Sequence, residues 1–91
     1  TTVTAKSNMI RVKAIGSSPR GQYVAFEEFG YKDNNRKVPF SKIGVMNMWK
    51  NKYVEKSVNI IGSSIEENLS IVRNKAKQRA MKKLKKFNIS L

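Results

Sequence analysis

Basic side chains are the chemically active groups that this sequence concentrates most. The run "RNKAKQRAMKKLKKF" (73–87) contains eight of the nineteen Lys and Arg residues and no acid. Cations at this density bind polyanions, whose negative charges neutralise them. The same run could also be a solvated tail or an anchor on an anionic membrane surface. The elements beneath it decide between these interpretations.

Most other chemistry is disfavoured by composition. The chain has no Cys and no His, so it lacks thiolate and imidazole metal ligands and the commonest general base. Glu27 and Glu28 are adjacent, and neighbouring residues of a strand point to opposite faces, so they could not act as an acid–base pair. The glycines show no phosphate-loop spacing. We therefore expect no enzymatic activity, no metal and no cofactor.

The overall charge favours nucleic acid as the partner. Nineteen Lys and Arg against six Asp and Glu give a net charge of +13. Lys dominates over Arg, which favours phosphate contacts over base readout. We expect binding to nucleic acid, DNA rather than RNA, with low sequence specificity. Two alternatives remain: a regulatory module that docks on an acidic surface of a larger machine, and an RNA- or ribosome-associated protein.

The candidate contact residues fall into three groups. Cations of the first strands and turns form the first group: Arg11, Lys13, Arg20, Arg36, Lys37 and Lys42. The run "WKNKY" interleaves cations with rings that could stack on bases, and it supplies Trp49, Lys50, Lys52 and Tyr53. The end of the basic run supplies the third group: Arg79, Lys82, Lys83, Lys85 and Lys86.

Four strands are expected before the basic run. In "NMIRVKAIG" the residues alternate, which predicts a strand with Val12 on a buried face and Arg11 and Lys13 on an open one. "QYVAFEEFGYK" and "RKVPFSKIGVMNMW" predict a hairpin around the turn signal "DNN" (33–35). The alternation of apolar and polar residues in "QYVAFEEFGYK" is interrupted at 27–28, which suggests a bulge or an end of pairing. Pro39 predicts an edge position or a late strand start, and "YVEKSVNIIG" is the fourth strand.

A long helix should follow. Ser63–Glu66 and Ser64–Glu67 have the spacing of capping boxes, which predicts a helix over about 64–87. Its apolar stripe comprises Ile65, Leu69, Val72, Ala76 and Ala80, extended by Leu84 and Phe87. Lys83 falls within that stripe. We therefore expect the helix to leave the sheet after about residue 80 and to project its last two turns into solvent or across a dimer partner.

These elements predict one α+β domain. The expected fold is an antiparallel sheet of about four strands with one long C-terminal amphipathic basic helix packed on one face, in the order ββββα. Residues 1–7 would form a flexible tail and 8–91 the nucleic-acid-binding domain. No apolar run could span a membrane, so we expect a cytoplasmic protein, associated with a nucleoid or encoded by a phage. The small core leaves a homodimer open.

Overall fold

The computed structural model describes residues 10–31, 38–62 and 68–91. Within these ranges the chain forms four strands and one helix. The strands are β1 (Arg11–Ser17), β2 (Tyr23–Tyr31), β3 (Pro39–Asn47) and β4 (Lys52–Ile61), and the helix α1 is Leu69–Lys86. The α+β fold predicted from the sequence is confirmed. The predicted tail, the turn at 33–35 and both capping boxes lie outside the described residues.

The strands form one antiparallel sheet in the order β1-β2-β3-β4. The predicted hairpin of β2 and β3 is present, with Tyr23 opposite Asn47 at one end and Tyr31 opposite Pro39 at the other. Pro39 is the first residue of β3, which lies in the interior of the sheet. Of the two positions expected for this proline, the strand start is therefore the one observed, because a ring nitrogen cannot donate to a ladder.

Irregularities occur in the two edge strands. Pairing of β1 with β2 shifts between Ala14 and Gly16, and pairing of β3 with β4 shifts between Ile43 and Val45, which lie opposite Val58 and Val54. In that second bulge Glu55 has a left-handed backbone with φ 59°. The bulge expected at Glu27–Glu28 is wrong, since both residues remain paired with β3. Glu27 breaks the apolar pattern for another reason, described below.

The helix packs on β3, β4 and β2. Its buried residues recur every fourth position, Val72, Ala76, Ala80 and Leu84, as the predicted stripe requires. The two alanines, with Ala25 of β2 also fully buried, allow the helix to approach the sheet closely. Ile43 and Val45 complete the centre of the core, with Val54, Val58 and Ile60 of β4 partly buried against it.

The helix begins at Leu69, later than expected. Asn68 is the N-cap: its backbone is extended and its Oδ1 accepts a hydrogen bond from the Ile71 N–H at 2.9 Å. An Asn at this position satisfies one of the amide groups that a helix start leaves without a partner. The eighteen residues of α1 span roughly 27 Å at about 1.5 Å each. Strands of nine or ten residues reach about 30 Å.

Because the helix is no longer than the sheet, its end does not project, and the prediction that it would is wrong. Leu84 is 1% exposed, and the Phe87 ring lies 4.7 Å from that of Tyr23. Asn88, with φ 57°, donates to the Lys85 carbonyl, and the Ile89 N–H donates to the Leu84 carbonyl. These bonds form a Schellman motif that turns the chain back onto the sheet. Ile89 then enters the core and Ser90 bridges to Ser17.

Candidate nucleic-acid interface

The register of the sheet decides which cations share a surface. Residues opposite each other in an antiparallel ladder point to the same face. Arg11 lies opposite Phe29, and Lys13 lies opposite Glu27, whose carboxylate is bound by Arg73 of the helix. Arg11 and Lys13 therefore point to the side of the sheet that carries α1. The expectation that they occupy the open face is wrong, and so is the buried position expected for Val12, which is 65% exposed on that open face.

The width of the helix explains why Arg11 and Lys13 are exposed although they point to the side of the sheet that carries α1. A helix about 10 Å across covers roughly two strands spaced about 4.8 Å apart. No Cα of α1 comes within 8 Å of β1, so this edge strand is exposed on both faces up to Ala14. We call the helix-bearing side, with the cations of α1 and of β1, the basic side. The opposite surface of the four strands is the open face.

A buried ion pair joins the helix to the centre of the sheet. Glu27 is fully buried, and its Oε1 and Oε2 accept hydrogen bonds from Arg73 NH2 at 2.9 Å and Arg73 Nε at 3.0 Å. The Ser41 hydroxyl donates a third bond to Oε2 at 2.7 Å. The Arg73 guanidinium also lies 3.7 Å from the centre of the Phe29 ring. Two parallel bonds from one guanidinium fix the helix against the sheet in both position and orientation.

The charges of this pair are stabilised in the folded protein. Burial by itself would raise the pKa of Glu27, but hydrogen bonds from Arg73 and Ser41, with the positive charges of Arg73 and Lys77, lower that pKa below its ordinary value of 4.5. The hydrogen bonds to Glu27 raise the pKa of Arg73 in turn. Glu27 is therefore a carboxylate at neutral pH, and its direct ion-pair partner is Arg73.

Further cations surround the same carboxylate. Lys13 is directly opposite Glu27 on β1, and Lys77 is near enough to lower its pKa. Arg11 lies two residues before Lys13 and on the same face of β1. After Arg73 has balanced Glu27, these three cations remain in excess. They border the strip between β1 and α1, where an extended anionic chain could lie between two rows of positive charge.

The outer surface of α1 continues the basic side. Lys75, Arg79, Lys82 and Lys86 follow each other at spacings of three and four residues, so they form one row along the helix. Lys85 is exposed and Lys83 is half-buried. Lys86 is paired with Glu55 of β4, an ion pair that lowers the pKa of Glu55. Lys86 is therefore less available to a ligand than the sequence suggested, whereas Lys82 and Lys85 are exposed.

Two turns meet at the end of the sheet where the helix finishes. The Met48 N–H donates to the Gln22 carbonyl, which joins the β3–β4 turn to the β1–β2 turn that contains Arg20. Asn47 Oδ1 accepts hydrogen bonds from the backbone N–H groups of Trp49 and Lys50 and so shapes the tip. The Trp49 side chain is 65% exposed. Arg20, Trp49 and Lys50 thus belong to one exposed end of the molecule.

The remaining predicted contact residues are divided between the two sides. Lys52 lies opposite Asn47, which in turn lies opposite Tyr23. Because Tyr23 packs on Phe87 of the helix end, Lys52 belongs to the basic side. Lys42 and Tyr53 line a hollow on the open face. The structure therefore does not bring Tyr53 together with the helix cations. Arg36 and Lys37 lie outside the described residues.

Sequence reasoning missed the residues around the buried carboxylate. Glu27 falls on the same alternating face as Ala25 and Phe29, both buried, and this register was the available signal. An acid on a core face requires a cation nearby, and Arg73 borders the apolar stripe of the helix. No sequence pattern connected these two residues, which are 46 positions apart.

Other kinds of site find no support in the part of the chain described here. No group of three or more acidic, His or Cys residues could hold a metal ion among these residues. No described helix is both long and apolar enough to cross a bilayer. Comparison with known proteins gives no match to a family model, to a curated protein or to a solved structure.

Proposed function

We propose that this protein binds nucleic acid, with DNA favoured over RNA, through phosphate contacts of low sequence specificity made by its basic side. The observation that carries the proposal is the common orientation of the cations of β1 and those of α1. Arg11 and Lys13 point to the same side of the sheet as the lysines of α1. A single surface of the molecule can therefore contact one polyanion.

The strip between β1 and α1 supplies the closest set of contacts. Lys13 and Lys77 approach it from the strand and from the helix, and Glu27 is already neutralised by Arg73. A phosphate that binds there meets cations on both sides without displacing an internal ion pair. Ammonium groups on flexible stems do not demand a fixed phosphate geometry. This tolerance supports binding to many sequences rather than to one.

The two alternatives differ in what they bind. If the protein is a regulatory module, it binds an acidic protein and has no affinity for random oligonucleotides. If it is an RNA-assembly protein, it binds structured RNA more tightly than DNA. The absence of a described carboxylate cluster or imidazole near the basic side gives no support to an enzymatic role. Binding measurements with several nucleic acids therefore separate these functions directly.

The test is fluorescence anisotropy with labelled duplex DNA, single-stranded DNA and hairpin RNA over a salt series. Each phosphate contact contributes about −0.9 for a duplex, or about −0.7 for a single strand, to the slope of log affinity against log salt concentration. We expect the double variant Lys13→Gln/Lys77→Gln to flatten the duplex slope by about 1.8, because it removes two contacts. A flat slope for the wild type would refute phosphate binding.

Lys42→Gln is the matched control. It removes the same charge per substitution from the open face, where Lys42 is exposed. We expect its slope and affinity to remain close to those of the wild type. If Lys42→Gln changes the affinity and the salt slope as much as Lys13→Gln or Lys77→Gln does, binding depends only on net charge. The basic side is then not the binding surface.

A further inference from the structure

The open face of the sheet is apolar, although the protein carries a charge of +13. Val12 is 65% exposed, Tyr53 59% and Ile61 48%. Val24, Phe26 and Met46 are half-buried on the same face by their register. An antiparallel sheet that faces water normally alternates apolar and polar residues. An exposed apolar surface of this extent is typical of an interaction site.

A hollow of about 250 Å³ lies at the centre of this face. Gly44 forms part of its lining, with Phe26 opposite it on β2 and with the Tyr53 ring close to where a side chain on Gly44 would begin. A cavity of about 150 Å³ is large enough to hold a benzene molecule. The hollow can therefore accept one aromatic ring.

Two opposite charges of the described residues lie together on the same face. Glu28 and Lys42 both line the hollow and lie directly opposite each other on β2 and β3. They form no ion pair with each other in the described structure, so both charges are available to a partner. A polyanion gains little from such a neutral pair. A second copy of this chain meets the least repulsion here, because its own charge excess lies on the other side.

We propose that the open face is a homodimer interface, in which two sheets pack face to face about a two-fold axis parallel to the strands. The sheet has four strands in the order β1-β2-β3-β4, so its midline runs between β2 and β3. An axis above this midline places each β2 over the other copy's β3. Phe26 then faces the second copy's hollow beside the Tyr53 ring that covers Gly44 there, and Glu28 faces the second copy's Lys42.

This arrangement is complementary at each of these positions. An aromatic ring enters a hollow bordered by the second copy's Tyr53 ring, and a carboxylate meets an ammonium group, in two symmetric copies. Such an axis also keeps the strands of the two sheets nearly aligned, as is usual in packed sheets. Four strands about 4.8 Å apart outline roughly 500 Å² per copy, which lies at the low end for specific interfaces. We therefore expect a weak dimer that dissociates in the micromolar range.

Dimerisation would turn the two basic sides outward, on opposite surfaces. Such a dimer could hold two nucleic-acid segments at once. This consequence rests on the proposed nucleic-acid binding, whereas the dimer itself does not. The interface can therefore be tested without any nucleic acid.

The experiment is sedimentation equilibrium of the purified chain from about 5 to about 500 μM, a range that brackets a micromolar dissociation constant. We expect a monomer–dimer equilibrium for the wild type. Glu28→Lys and Lys42→Glu should each weaken it at least tenfold, because each places like charges opposite each other twice. An equimolar mixture of the two variants should recover the wild-type affinity, since the mixed dimer again has opposite charges at both positions.

Lys85→Glu is the matched control for Lys42→Glu. It makes the same charge change at an exposed helix position on the basic side, and it should leave the dissociation constant unchanged or slightly lower. A wild-type monomer at all concentrations would overturn the proposal, as would failure of the mixture to recover.

Discussion

Replacement of Arg73 by Met tests whether the buried ion pair determines how the helix is fixed to the sheet. Methionine can keep the apolar contact with the Phe29 ring, but it removes both hydrogen bonds to Glu27. Glu27 is 0% exposed and would retain only the Ser41 hydroxyl as a partner. Breaking a buried pair in this way costs about 3–5 kcal/mol, because one charge is left without compensation.

That cost is large for a domain of this size. A chain of 91 residues has a free energy of unfolding of about 5–14 kcal/mol. Loss of 3–5 kcal/mol corresponds to a fall in Tm on the order of 20 °C. We expect the variant to unfold at a much lower urea concentration, with the midpoint followed by far-UV circular dichroism.

The pH dependence gives a sharper result than the magnitude. In the wild type the pKa of Glu27 is lower in the folded state than its ordinary value of 4.5. Its contribution to stability is therefore complete above pH 4.5 and is lost as the pH falls through the folded pKa. In Arg73→Met, burial raises the pKa instead, so the folded state takes up a proton more readily than the unfolded state. The free energy of unfolding of the variant should therefore rise as the pH falls from about 7 to about 5.

Two controls isolate the charge on Glu27. Arg79→Met makes the same substitution on an exposed position of the same helix and should cost no more than about 0.5 kcal/mol. Glu27→Gln combined with Arg73→Met removes both charges and should recover much of the stability and abolish the reversed pH slope. A cost below about 1 kcal/mol for Arg73→Met, or a pH slope with the wild-type sign, would refute this account of the pair.

Two further predictions concern the end of the helix and the tip of the β3–β4 turn. Leu84→Ala should lower the free energy of unfolding in urea by about 2–5 kcal/mol, because Leu84 is 1% exposed. Met81→Ala should cost much less, because that side chain is 45% exposed. Equal small costs would mean that the helix end does not pack on the sheet. Trp49→Ala should weaken binding of single-stranded DNA by about 1–3 kcal/mol without changing the salt slope, and Trp49→Phe should retain binding. Unchanged affinity of Trp49→Ala would exclude base stacking at this residue.

The order of the elements was predictable because its signals are local. Alternation in β1 and β2, the proline at the start of β3 and the four-residue repeat of buried helix positions each depend on residues close together in sequence. The apolar stripe of α1 has to be buried, and the sheet is the element that offers an apolar surface for it. The cations of α1 that lie outside this stripe could be identified for the same reason.

The face of β1 could not be predicted. Alternation places Val12 and Lys13 on opposite faces, but it does not say which of them points toward the helix. The ladder with β2 fixes that choice: Lys13 lies opposite Glu27, and Glu27 faces α1. Because the helix is too narrow to cover β1, Lys13 stays exposed on the helix side, and Val12 is exposed on the open face. The candidate site was therefore divided wrongly between the two faces of the sheet.

The charge of +13, the order of four strands and a basic helix, and the residues of the buried helix stripe could all be read from the residue order alone. Tertiary structure decided that Glu27 and Arg73 meet, that Ile89 returns to the core, and that Arg11 and Lys13 join the helix on one basic side. The physical reason is that composition and periodicity are properties of short segments. Register, helix width and contacts between distant residues exist only when those segments pack together.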